Sequence, residues 1–185
     1  MPPAAQPQVA TPQAATPQAV AATSASALDV RAFRGALGRF PTGVTVVTAR
    51  DERGALIGLT VNSFNSLSLD PPLILWSLRK SSPSLAALMA APHFAVNVLA
   101  EGQAEVSRCF ASPIADKFAE VPHAVNGHGV PLLHGAAAWF ECRAVSHQEA
   151  GDHILFIGEV LRFDSTEQAA LVYHAGAYHL VGERL

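Results

Sequence analysis

The chain has 185 residues, of which 50% are hydrophobic and 15% charged, and a formal net charge of −3. That length fits one domain, and the slight acidity excludes the basic footprint of a nucleic-acid binder. No apolar run approaches the roughly 18 residues of a membrane span, and two cysteines, Cys109 and Cys142, make no disulfide framework.

Residues 1–27 hold Pro2, Pro3, Pro7, Pro12 and Pro17, with no Lys, Arg, Asp, Glu or aromatic side chain. Such a segment has little to bury, so it is expected to be a disordered tail ahead of a folded domain over 28–185. It lacks a positive n-region and a long apolar stretch, unlike a secretory signal. Free thiols and the cytoplasm are the corresponding expectations. Charge content well below the usual quarter or so implies that a second subunit covers part of the surface.

Asp29 caps a short helix whose Val30, Phe33, Leu37 and Phe40 form one apolar stripe, ended at Pro41. Thr42–Ala49 is β-branched and reads as a strand. Asp51–Gly54 is a turn, and Leu56–Val61 is the hairpin partner. Within Gly58–Leu73, alternation places Thr60, Asn62, Ser66 and Ser68 on one face of a strand, opposite Val61, Leu67 and Leu69. There is no charge until Asp70. A neutral, hydroxyl-rich edge suits a polar-edged ring or an approach to phosphate; the plainer alternative is a strand end whose hydroxyls bond to backbone.

Leu73–Leu78 reads as a buried strand, and Ser82-Pro83 as the start of a helix over Pro83–Ala91. Phe94–Leu99 is a strand, Gln103–Phe110 a short helix, and Ala111–Gly135 a long irregular loop of the kind that is often functional. Ala137–Ser146 and His153–Phe163 are long strands joined at Glu149–Asp152, and a hairpin turning at Ala175-Gly176 closes the chain. Strands at regular spacing with short helices predict a closed or partly closed antiparallel barrel.

Three places could carry chemistry. Besides Thr60–Ser68, Arg79–Ser84 sets two cations and three hydroxyls before a predicted helix, an anion site or an ordinary cap. Gly151-Asp152-His153 puts a histidine beside a carboxylate at a hairpin turn, for ligand contact or for turn geometry alone. His123, His128 and His134 match no metal template, so no metal is expected. Cys109, Cys142, Trp76 and Trp139 read as packing residues.

FPTGVTVVTA (40–49), GLTVNSFNSLSLDPPL (58–73), FAVNVLAEGQ (94–103), DKF (116–118), GDHILFIGEV (151–160) and YHAGAYHL (173–180) occur in order. Together they resemble the flavin reductase family, the small reductase partners of two-component flavin monooxygenases. The resemblance implies a mostly β fold, an FMN-binding split β-barrel with a Greek-key core and short peripheral helices, assembled as a homodimer.

It also implies hydride transfer from NADH, less readily NADPH, to FMN or FAD. Reduced flavin then diffuses to a monooxygenase acting on an aromatic compound. No obligatory catalytic side chain is expected, because positioning dominates. Carried over by motif, Thr60, Val61, Asn62 and Ser63 would hold the isoalloxazine edge. Ser77, Arg79, Ser82 and Ser84 would border the ribityl phosphate. Phe110, Lys117 and Phe118 would close over the flavin, and Gly151, Asp152 and His153 would meet the nicotinamide nucleotide. The alternatives are a related barrel with tightly bound flavin, serving as an electron carrier or flavin store, and an oxidase of the pyridoxamine-phosphate type.

Overall fold

A computed structural model describes residues 28–183; the predicted tail lies outside the described residues. Helix α1 spans Val30–Leu37, with the Asp29 carboxylate accepting from the Arg31 and Ala32 N–H groups. Its apolar stripe is not buried in this chain: Val30 is 61% exposed, Leu37 59% and the following Phe40 75%.

The predicted Thr42–Ala49 strand is two pieces, β1 (Thr42–Gly43) and β2 (Thr45–Arg50). β2 pairs with β3 (Leu56–Val61) across the Asp51–Gly54 turn and, on its other side, with β6 (His93–Val98). Successive side chains of a strand face opposite ways. Accordingly Val47 and Ala49 enter one apolar cluster with Trp76, Phe94 and Phe156, while Val44 and Val46 enter a second with Leu99, Phe110 and Phe118.

β4 (Asn65–Leu69) and β5 (Pro72–Arg79) follow, then helix α2 (Leu85–Ala90), β6 and helix α3 (Ala104–Ala111). β5 is not buried throughout: Ile74, Trp76 and Leu78 point inward, and the residues between them are half-buried. α2 begins two residues later than Ser82-Pro83 predicts, with Ser84 at its N-cap. The loop expected over Ala111–Gly135 contains a small hairpin, β7 (His123–Val125) and β8 (Pro131–Leu133).

That hairpin is pinned by two buried polar side chains. Thr48 donates to the Pro131 carbonyl at 2.6 Å, and Asn97 accepts from the Leu133 N–H at 2.9 Å. The long strands β9 (Ala138–Ala150) and β10 (His153–Ser165) pair across the Gly151-Asp152 turn, and β11 (Val172–His174) and β12 (Ala177–His179) form the closing hairpin.

The main sheet has seven strands in the order β3-β2-β6-β9-β10-β5-β4. β3 and β4 therefore stand at opposite ends, although only Asn62–Phe64 joins them. Laid flat, six inter-strand gaps would measure roughly 29 Å. The four Cα steps from Val61 to Asn65 reach at most roughly 15 Å. The sheet must therefore curl until its ends approach. Ser63 fastens them, its hydroxyl donating to the Ser77 carbonyl at 3.0 Å and accepting from the Ser77 N–H at 2.9 Å.

This curl overturns one expectation. Thr60 lies on β3, Asn62 beyond its end, and Ser66 and Ser68 on β4, so they do not share one strand face. The chain breaks its alternation at Ser63-Phe64, where Phe64 turns in to stack on Phe140 at 5.6 Å, and a bulge between Ser66 and Ser68 shifts the register again. Among the described residues, no helix is long and apolar enough to cross a membrane.

Candidate functional site

The curl brings three strand ends together. Thr60 and Val61 close β3, Ser77–Arg79 close β5, and His153 opens β10 directly opposite Arg79 in the ladder. The Lys80 N–H donates to the Asp152 carbonyl at 2.9 Å, which holds the β9–β10 turn against the end of β5. Gly151 in that turn has a φ of +61°, a left-handed backbone that a glycine adopts without strain. No atom lies within 4 Å of where its Cβ would stand, so the conformation, not a close approach, is what requires glycine.

These ends enclose a cleft of about 320 Å³ lined by Thr60, Val61, Asn62, Ser63, Ser77, Leu78, Arg79, Ser81, Ser82 and His153. Eight of the ten come from the segments singled out by sequence and Ser77 from the family resemblance; Leu78, between Ser77 and Arg79, completes the wall. Ser81 is legible only as a member of the Arg79–Ser84 run, since the family motif does not mark it. A larger cavity of about 540 Å³ is lined in part by Leu56–Gly58, Pro83-Ser84, Lys117 and Phe118. Phe110 lines neither cavity. It is 1% exposed and packs edge-on under Phe118, centroids 5.0 Å apart, so it backs that wall from inside the core.

Two of the hydroxyls are already committed. Thr60 Oγ1 donates to the Ser107 carbonyl at 2.7 Å, and both functions of the Ser63 hydroxyl go to Ser77. Bonding of hydroxyls to backbone therefore holds for these two side chains. What they leave for a ligand is the outer backbone edge of β3, a terminal strand of the sheet whose far side has no ladder partner.

Charge in the cleft is one-sided. No Asp or Glu lines it. Lys80 is neutralised by Glu149 at 2.7 Å, whose carboxyl that lysine holds below its usual range. Arg79 has no ion-pair partner among the described residues. Because α2 is a single short turn and a half with no side-chain cap, an anion here would be held by Arg79 and the serine hydroxyls, not by a helix terminus.

His153 is half-buried, and its Nδ1 lies 2.7 Å from the Asp152 carboxylate. That bond is the main reason the Asp152 carboxyl is held below its ordinary value, with the charge of His153 second. With Nδ1 engaged, Nε2 is the ring nitrogen left for a ligand. In the larger cavity Lys117 Nζ donates to the carbonyls of Phe110 at 2.9 Å and Gly58 at 3.3 Å, and its ammonium is held below the usual lysine range chiefly by desolvation.

None of the remaining candidates lines the cleft, although Cys109 Sγ lies 3.6 Å from the Lys117 carbonyl. His128 stacks on His93 with centroids 3.9 Å apart, His123 stands edge-on to Phe118, and Cys109 and Cys142 are unbridged.

A flat, polar-edged, phosphate-bearing ring fits this donor set: strand-edge backbone for the ring, a free guanidinium and hydroxyls for the phosphate, and an oriented imidazole alongside. The fold and cleft thus define a mostly β, nucleotide-cofactor class of protein. A family profile described as flavin reductase like domain matches residues 37–182, and the chain belongs to that family.

It is 46% identical over 154 residues to the stachydrine N-demethylase reductase subunit Stc3 of Rhizobium meliloti, covering 83% of this chain and 67% of that one. It is 47% identical over 148 residues to the FMN reductase (NADH) SmoA of Agrobacterium fabrum, covering 80% and 84%. The Streptomyces globisporus NADH:FAD oxidoreductase SgcE6, solved with NAD and FAD fragments, superposes with a TM-score of 0.80 at 37% identity, covering 83% and 93%. The chain spans about half the length of two other curated relatives, 50% and 48%.

Proposed function

We propose that this protein is an NADH-dependent flavin reductase that supplies reduced flavin to a separate flavin-dependent monooxygenase. The observation that carries the reading is the cleft where β3 and β5 end and β10 begins, with His153 oriented by Asp152 and, among the described residues, no ion-pair partner for Arg79 and no lining carboxylate. When bound, the flavin and the reduced nicotinamide supply the redox chemistry between them. The chain's own part is placement.

The outer edge of β3 at Val61 and Asn62 holds the ring edge. Arg79, Ser81 and Ser82 take the phosphate by charge-assisted bonds. His153 Nε2, in the tautomer set by Asp152, accepts from the nicotinamide amide. No side chain of the cleft is required to move a proton. Stc3 is named a reductase subunit, SmoA an FMN reductase using NADH and SgcE6 an NADH:FAD oxidoreductase, and these names support the reading.

The curl of the seven-stranded sheet supports a split β-barrel with a Greek-key core. The exposed apolar stripe of α1, together with Leu69 at 94% and Phe163 at 69% exposure, supports a homodimer that covers them. Unbridged cysteines support a reducing compartment, the cytoplasm. The family match over 37–182 supports a reductase domain that functions without residues 1–27.

The decisive assay is steady-state oxidation of NADH by purified protein with and without added FMN, FAD or riboflavin. Fast turnover that depends on added flavin is expected. A yellow protein whose slow turnover ignores added flavin would replace the reductase with a bound-flavin carrier.

A further inference from the structure

The closing motif YHAGAYHL (173–180) contributes no residue to the cleft, yet its second tyrosine reaches the cleft wall through one buried serine. Tyr178 stands on β12, the outer strand of the small sheet β1-β11-β12. Its ring packs against the cluster that holds Val44, Leu99 and Phe110, and edge-on to Tyr173 with centroids 5.6 Å apart. The Arg108 guanidinium lies over it, 5.2 Å from the ring centroid. Its hydroxyl is 2.8 Å from Ser107 Oγ on α3.

Ser107 is 0% exposed and sits inside α3. A buried serine within a helix has the carbonyl one turn earlier as its default acceptor, a bond that bends the helix. The phenol gives this hydroxyl another partner. The carbonyl of the same residue accepts from Thr60 Oγ1 at 2.7 Å. Ser107 thus joins two elements that share no strand pairing, the C-terminal hairpin at its hydroxyl and β3 at its carbonyl.

β3 is a terminal strand, laddered on one side only, so α3 is what steadies its outer edge. Two tethers do so, two residues apart. Lys117 Nζ, fixed to the Phe110 carbonyl at 2.9 Å, donates to the Gly58 carbonyl at 3.3 Å, and Thr60 donates to Ser107. Of the two tethered positions on β3, only Thr60 lies in the cleft wall, beside the Val61-Asn62 edge given above to the flavin ring.

We infer that Tyr178 is a positioning residue for the flavin ring: its phenol fixes Ser107, Ser107 fixes Thr60, and the edge of β3 takes its place from them. This rests on the flavin-cleft reading above and deepens it. Neither Tyr178 nor Ser107 lines the cleft, so losing the bond between them acts on ring binding and leaves the phosphate contribution of Arg79 as it was.

The test is fluorescence titration of the full chain with riboflavin and FMN, with thermal melts and the NADH KM at saturating flavin alongside. The variants are Tyr178→Phe, the pair Ser107→Ala with Tyr178→Phe, and Thr60→Val. Tyr178→Phe keeps the packing of the ring and removes one hydroxyl. It should weaken riboflavin and FMN by the same factor, about fivefold, the scale of one hydrogen bond, with the NADH KM within about twofold of wild type. The paired variant leaves no buried hydroxyl without a partner, so it should regain Tm lost by Tyr178→Phe and regain no flavin affinity. Thr60→Val cuts the linkage at its other end and should match Tyr178→Phe in flavin binding. Should Tyr178→Phe fold poorly, the paired variant carries the same comparison.

Flavin affinity that returns together with Tm in the paired variant makes the bond a matter of stability and overturns the inference. Wild-type flavin binding in either Tyr178→Phe or Thr60→Val overturns it as well, and so does an NADH KM that rises as far as the flavin constants do. Failure of wild type to bind riboflavin and FMN overturns the cleft reading itself, and the positioning role with it.

Discussion

Gly58 lies on β3 in the wall of the larger cavity, and replacing it with alanine tests how that wall is supported. A Cβ built there stands 2.3 Å from Phe110 Cε1, 2.6 Å from Phe110 Cδ1 and 3.0 Å from Phe118 Cζ. Carbon atoms rest at roughly 3.5–4.0 Å, so the overlap exceeds roughly 1 Å. Phe110 cannot relieve it by swinging outward: it is 1% exposed and already wedged against Phe118.

Overpacking of this kind costs about 1–3 kcal/mol, and the restriction of the unfolded chain by alanine returns about 0.4–1 kcal/mol. The net loss should be about 1 kcal/mol, roughly 2–4 °C in Tm for a domain of this size. Urea unfolding and thermal melts of Gly58→Ala measure it. Phe110→Leu, which shortens the obstructing ring, should recover part of the loss in the double variant, a coupling of about 1 kcal/mol or more. If Gly58→Ala melts within about 0.5 kcal/mol of wild type, or Phe110→Leu adds its own cost in full, the wall is not the rigid support described.

Three other perturbations follow, two from the cleft and one from the core. His153→Ala should raise the NADH KM about tenfold while flavin KM moves by about twofold or less; equal loss of both would separate His153 from the nicotinamide. Arg79→Ala should weaken FMN and FAD by roughly tenfold or more and riboflavin little, and an unchanged ranking of the three would remove Arg79 from the phosphate. Burial, followed by the charge of Glu141, pushes the Cys142 thiol up to about 12 from an ordinary 9.0. A raised folded value means stability that is complete below the unfolded value and lost as pH climbs through the folded one. The slope of unfolding free energy between pH 9.0 and about 12 should therefore flatten in Cys142→Ala. Native protein at pH 8.5 should also resist thiol reagents at Cys142 until denaturant is added; labelling at the rate of a free thiol would contradict the burial.

Local pattern and tertiary closure divide what the residues disclose. Asp29, the β-branched run of β2, the Gly151-Asp152 turn and the Ala175-Gly176 turn are all set by neighbours in the chain, and each stands where pattern alone puts it. Thr60–Ser68 fails for the opposite reason. Alternation presumes a straight strand, and nothing local reports that Ser63 will bond across to Ser77 and send the chain to the other edge of the sheet. That same closure builds the cleft.

The residues that line the cleft were therefore legible as types, while their duties were not. For the Thr60–Ser68 segment a ligand role and hydroxyls bonded to backbone are both open in the sequence; in the structure the Thr60 and Ser63 hydroxyls donate to protein carbonyls. The resemblance has Phe110 close over the flavin; in the fold α3 turns its ring inward, beneath Gly58. Arg79 and Lys80 are adjacent cations that a sequence cannot rank, and the register of β5 on β10 separates them. It sets Lys80 against the Asp152 carbonyl and within reach of Glu149, and leaves Arg79 opposite His153 with no ion-pair partner among the described residues. On the proposed reading the cation without an ion-pair partner is the one that takes the phosphate, so the register of a single strand pair would decide which basic residue the ligand meets.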